Sequence, residues 1–111
     1  MRTVKRRAKK PRLDRVVKEF YADGSLSCVG RTANGLKIGV WKHYLRNGVL
    51  RAVGRFSKGK MTGEWRWYRE SGKLWQVGHF AGDKKHGPWR RYRPDGKPLD
   101  VATFVQGKKA K

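Results

Sequence analysis

The side chains of this chain that can do chemistry are mostly lysine and arginine, and they recur at a fixed interval. Lys18, Lys42, Arg66 and Arg90 stand 24 residues apart; Arg31 and Arg55 share that spacing, and His79 continues their series. The segments "NGLKI", "KGKMT", "GDKKH" and "QGKKA" bring together Lys37, Lys58, Lys60, Lys84, Lys85, Lys108 and Lys109 with Asp83 as the one acid, a net +6. The opening "MRTVKRRAKKPRLDR" adds Arg2, Lys5, Arg6, Arg7, Lys9, Lys10 and Arg12. A guanidinium can hold a phosphate by two parallel hydrogen bonds, and an ammonium acts on it as a point charge. Such an array grips a nucleic-acid backbone without reading its sequence.

In all, 29 Lys and Arg face eight Asp and Glu, for a net charge of +21 on 111 residues. Self-repulsion on that scale calls for a polyanionic partner, either nucleic acid or anionic lipid headgroups. Residues 1–15 carry +7 and the last four residues +3, which leaves +11 on residues 16–107. Half of the excess is therefore built into the repeating part.

Other chemistries find no support. Cys28 has no counterpart at Ala52 or Gln76, and a single cysteine permits no intrachain disulfide, as suits a reducing compartment. His43, His79 and His86 lack zinc-ligand spacing, and no carboxylates pair. "GKMTG" and "GDKKHG" precede no helix, so they are not phosphate-cradling loops of the nucleotide-binding kind. The chain is read as non-enzymatic, with no cofactor and no metal. No apolar run approaches the ~18 residues of a spanning helix, and the basic start lacks a secretory apolar stretch. A cytoplasmic location is expected.

What positions the cations is a repeat. Shifting the chain by 24 aligns Trp41, Trp65 and Trp89 with Val17, and Phe20 with Tyr44, Tyr68 and Tyr92. Further columns are Gly24, Gly48, Gly72 and Gly96; Val29, Val53, Val77 and Val101; Gly30, Gly54 and Gly78; Phe56, Phe80 and Phe104; and Gly39, Gly63 and Gly87. A period of this length means stacked supersecondary units, none able to bury its apolar face alone. Each unit reads as a hairpin, with a Trp/Tyr strand, a turn and a Leu/Val/Phe strand. Asp23-Gly24, Asn47-Gly48, Ser71-Gly72 and Asp95-Gly96 suggest type I′ turns between them. Gly54 and Gly78 are expected to make room for a ring lying over the backbone.

The expected fold is all-β: an elongated single-layer antiparallel sheet of stacked hairpins, flanked by basic disordered tails. The boundaries are a basic tail at 1–15, four repeats at 16–39, 40–63, 64–87 and 88–107, and a basic tail at 108–111. Leu13, Val16, Val17 and Phe20 also have helical spacing, but their place in the repeat favours a degenerate first strand. The Trp and Tyr columns are three apart, so either both faces bear aromatics or a bulge intervenes. The Trp column's periodicity assigns it to the core. Trp67 and Trp75 stand off-column and are the candidates for stacking on a partner.

The pattern GxWxxYxxxGxLxxxGxF…G at Gly39–Gly59, Gly63–Gly82 and Gly87–Gly107 resembles the MORN-type repeat, in the bacterial variant found in proteins labelled YwqK-type antitoxins. The resemblance covers about residues 16–107, with departures at Thr32, Asp83, Pro98 and Ala102. It implies a sheet of hairpins without catalytic activity, serving as a partner-binding or membrane-proximal module. The heavy positive charge is not part of that pattern. Charge and repeat together give a non-enzymatic protein that binds nucleic-acid backbone, RNA ahead of DNA because no helix is available for a major groove. The expected partner is ribosomal RNA or another large RNA assembly, with ribosomal proteins as possible neighbours. The alternative is a protein-interaction module, an antitoxin or an adaptor for an acidic protein. Attachment to anionic membrane ranks last, because no amphipathic basic helix or acylation signal accompanies the charge.

Overall fold

A computed structural model describes residues 14–110. They form one open antiparallel sheet of ten strands in hairpin order, with no helix among the described residues. The strands are β1 (Asp14–Phe20), β2 (Leu26–Ala33), β3 (Leu36–Tyr44), β4 (Leu50–Ser57), β5 (Lys60–Tyr68) and β6 (Leu74–Ala81). The two-residue β7 (Lys84–Lys85) and then β8 (Gly87–Tyr92) pair with β6, and β9 (Pro98–Val105) and β10 (Lys108–Lys109) follow. The extents are 67 × 41 × 17 Å, and the thin dimension is that of one sheet with side chains on both faces. The expected first strand is present and starts at Asp14, inside the span assigned to the basic tail. Lys108 and Lys109, also assigned to a tail, pair with Val105 and Phe104.

The turns are distributed differently from the expectation. At one edge, Tyr21–Ser25, Leu45–Val49, Arg69–Lys73 and Arg93–Lys97 each close with two backbone hydrogen bonds, first N–H to fifth carbonyl and Gly N–H to first carbonyl. Among each turn's residues only the glycine has positive φ, between 90° and 92°. This is a type I turn followed by a left-handed glycine, not type I′. The side chains of Asp23, Asn47, Ser71 and Asp95 accept from the N–H two residues on, bridging the glycine between. The two-residue turns with positive φ at both positions lie at the opposite edge, between repeats: Asn34-Gly35, Lys58-Gly59, Gly82-Asp83 and Gln106-Gly107.

Each intra-repeat hairpin carries a bulge. His43 pairs with Ala52 but Tyr44 with Leu50, so Arg51 is extra; Ser27, Trp75 and Leu99 are extra in the same way. A second irregularity lies between repeats, where Gly30 alone stands opposite Gly39–Trp41, and Gly54 alone opposite Gly63–Trp65. Positive φ at Gly39, Gly63 and Gly87 accounts for that glycine column. The Trp-bearing strands run regularly from Trp to Tyr, so the two columns lie on opposite faces. Both faces bear aromatics, and the bulge sits on the partner strand.

The core covers one face. Trp41, Trp65 and Trp89 are 1%, 3% and 5% exposed. Each indole lies on the glycine of the preceding repeat: a Cβ on Gly30, Gly54 or Gly78 would stand 2.0, 1.9 or 2.3 Å from the ring. Each indole N–H then donates to the next carbonyl, that of Arg31, Arg55 or His79, at 2.9–3.1 Å. Phe56, Phe80 and Phe104 fill the intervals edge-on, with ring centroids 5.2–6.2 Å from the tryptophans. The repeats are thereby joined by a continuous aromatic ladder.

Candidate polyanion-binding face

The face opposite the tryptophans carries the cationic columns. Cross-strand partners share a face, and the register runs Lys18–Val29–Lys42–Val53–Arg66–Val77–Arg90–Val101 across eight strands without interruption. Cation and valine alternate, so the positive groups repeat every second strand, about 10 Å apart. All four cations are exposed, while Val29, Val53 and Val77 are half-buried. The valine backing gives the long stems something apolar to lie on while their charged ends reach water.

The second column falls on the same face. Arg55 pairs with Val40, two residues before Lys42, and Arg31 pairs with Val16, two before Lys18. The six cations of the two columns thus share one face with two acids among the described residues, Asp14 and Glu64. Glu64 accepts from Arg66 Nε at 2.6 Å, which raises the Arg66 pKa, and lies 3.9 Å from His79 Nε2. Asp14 lies 3.5 Å from Arg31. Lys18, Lys42, Arg55 and Arg90 form no ion pair with another described residue. These are the strongest positions for an external anion, because like charges in a row repel unless counter-charge is supplied.

The inter-repeat lysines are less uniform than their sequence suggests. Lys37 Nζ lies over the rings of Trp41 and Phe56, at 4.9 and 5.0 Å, and Lys85 Nζ over Trp89 and Phe104, at 4.5 and 4.7 Å. Both ammoniums sit on the tryptophan face as cation–π caps. Met61 occupies the equivalent place in the repeat between them. Lys58, Lys60, Lys84, Lys108 and Lys109 are exposed along the edge. Asp83 is already used there: its carboxylate accepts from Met61 N–H at 2.7 Å and its N–H donates to the Met61 carbonyl at 3.0 Å. Arg2, Lys5, Arg6, Arg7, Lys9, Lys10 and Arg12 lie outside the described residues.

The two off-column tryptophans separate. Trp67 is half-buried in the ladder, near-parallel to Trp65 at 6.1 Å and to Trp89 at 5.3 Å. It extends the core and is not an exposed stacking platform. Trp75, the bulge residue, is 41% exposed with the Arg69 guanidinium 5.9 Å above it. Cys28 is buried, its Sγ is 3.4 Å from Glu19 Oε1, and burial pushes its pKa up. Burial and Lys37 lower the pKa of His43. Among the described residues no group of three or more His, Cys, Asp or Glu is placed to hold a metal. No described helix is long and apolar enough to cross a membrane. Sequence reading overlooked Arg46, Arg51 and Arg69, which converge at the turn edge; the loss of the tyrosine of position 21 at Leu45, one period on, was the available signal.

Residues 61–81 and 85–106 each match the family described as MORN repeat variant. The match is to the repeat and does not extend to the YwqK-type label. No curated protein and no solved structure matched the chain. MORN repeats are generally non-enzymatic and suggest a module that engages protein or membrane.

Proposed function

We propose that this MORN-type repeat protein is a non-enzymatic binding module whose cationic face holds an RNA backbone, in the cytoplasm and on the ribosome or another large RNA assembly. The observation that carries this reading is the coincidence of both cationic columns on one open face, with two acids to offset six cations. Flat, periodic and strongly positive, this face suits an extended chain of phosphates better than a single small anion. The net +21 adds long-range steering. The test is sedimentation of native extract at low salt with and without ribonuclease. Ribonuclease-sensitive co-sedimentation with ribosomal particles supports the reading. With purified protein, contact to ~6 phosphates of a single strand gives a log–log salt slope of about −4. Replacing Lys42, Arg66 and Arg90 together by Gln should flatten that slope by about 2.

A second reading, a docking face for an acidic protein, draws on the repeat family and on Val40 and Val101, which stand 44% and 58% exposed among the cations. It gains if the protein travels with one polypeptide after ribonuclease treatment and keeps it at moderate salt. Retention on anionic vesicles would instead favour membrane attachment.

A further inference from the structure

The repeats are clasped together along the turn edge, and the clasp fails once. Tyr21 Oη donates to the Tyr44 carbonyl at 2.6 Å, and Arg69 Nη2 donates to the Tyr92 carbonyl at 2.9 Å, each bond reaching 23 residues ahead. The equivalent bond between them would run from position 45 to Tyr68. Position 45 is leucine, which has no polar group to donate. At that break lies a depression of about 670 Å³, in the size range of small-ligand sites. None of the face cations Lys18, Arg31, Lys42, Arg55, Arg66 or Arg90 lines it.

Its walls have a definite chemistry. Tyr21 with the Arg46 guanidinium 5.2 Å over its ring, and Trp75 with the Arg69 guanidinium 5.9 Å over its ring, both line the depression. Arg51 and Glu70 line it as well. The Arg69 guanidinium is held in place by the Nη2 bond to the Tyr92 carbonyl and lies over Trp75. Aromatic and guanidinium planes are the surfaces on which unpaired bases stack. Three arginines at the same place can hold the attached phosphate, and the Glu70 carboxylate can accept from a base N–H. We infer that the notch at Leu45 seats one unpaired nucleotide of RNA, its base against the Trp75 and Tyr21 walls and its phosphate on Arg46, Arg51 and Arg69. This deepens the RNA reading, because the face grips any backbone whereas the notch admits only a base out of its helix.

The test compares full-length protein with Leu45→Tyr, which takes the tyrosine found at position 21 and fills the notch, and with Trp75→Leu, which takes the leucine found at position 99. Urea midpoints verify that both variants fold. Binding is measured by fluorescence anisotropy with a single-stranded RNA hexamer and with a blunt RNA duplex. Each variant should bind the hexamer about tenfold more weakly, the order that one base–aromatic stack contributes. Duplex binding and salt slope should stay as in the wild type. Unchanged hexamer affinity, or an equal loss on the duplex, overturns the notch. So does inorganic phosphate that competes as well as a nucleoside monophosphate. The Lys42, Arg66 and Arg90 triple variant separates the two readings. Wild-type binding by that variant overturns the face and leaves the notch standing, and a wild-type protein that binds neither RNA overturns both.

Discussion

Gly54→Ala should cost far more than an alanine in a strand ordinarily does, for a reason visible in the aromatic ladder. The new Cβ would stand 1.9, 2.2 and 2.4 Å from Cδ2, Cε2 and Cγ of Trp65, inside the ring's own volume. The indole is 3% exposed, packs against Phe56 with centroids 5.2 Å apart, and donates to the Arg55 carbonyl at 3.1 Å. It can yield only by leaving its seat. Overpacking contributes about 1–3 kcal/mol, the lost hydrogen bond about 1 kcal/mol, and partial exposure of the ring about 1.5–3 kcal/mol. Reduced freedom of the unfolded chain offsets about 0.4–1 kcal/mol of this. The net expectation is about 2.5–6.5 kcal/mol, or a Tm lower by at least about 10 °C in a domain of this size. Urea unfolding followed by circular dichroism measures it, and the same substitution in a Trp65→Ala background isolates the cause. With the ring gone, Gly54→Ala should be neutral or slightly stabilising. A cost below about 1 kcal/mol in the wild type, or an undiminished cost without Trp65, would refute the stacked arrangement.

Two further outcomes follow from the surface electrostatics. The Asp100 carboxyl is held below the usual carboxylate range by its hydrogen bonds from Arg91, and that of Asp23 by bonds from the Ser25 hydroxyl and N–H. A depressed folded pKa contributes stability above the unfolded pKa and loses it as pH falls through the folded value. Thermal stability should therefore decline below about pH 4, and Asp100→Asn with Arg91→Gln should shallow that decline; an identical acid profile would count against the pairing. Lys37→Met copies the side chain that Met61 already places in the next repeat, so it should cost no more than about 0.5–1 kcal/mol, the range of an exposed cation–π contact. A larger loss on urea unfolding would show that the Lys37 ammonium does more than cap Trp41 and Phe56.

The repeat was legible because it is written in local terms. Trp41, Trp65 and Trp89 recur with a glycine column eleven residues earlier, and an indole lying on a bare Cα is the simplest reason for both. The turn glycines were equally plain, but their turn type was not. Asp-Gly and Asn-Gly serve a type I′ turn or a type I turn with a left-handed glycine, and what separates them here is the five-residue backbone closure with positive φ at the glycine alone, which the dipeptide does not specify. Trp67 was misplaced because its column holds His43 and Arg91, which gave no hint of burial; the rings of Trp65, Phe80 and Trp89 around it decide that.

The sequence by itself determined the 24-residue period, the hairpin order, the tryptophan core and the excess of cations. These depend on residue type and spacing within one unit. Only the tertiary structure decided which columns share a face, because a single extra residue at Ser27, Arg51, Trp75 or Leu99 inverts the alternation beyond it. An extra residue is defined by the pairing of two strands, not by either strand alone. For the same reason Lys42 and Arg55 proved to be neighbours on one surface, and the notch at Leu45 appears only when position 45 is set between Tyr21 and Arg69.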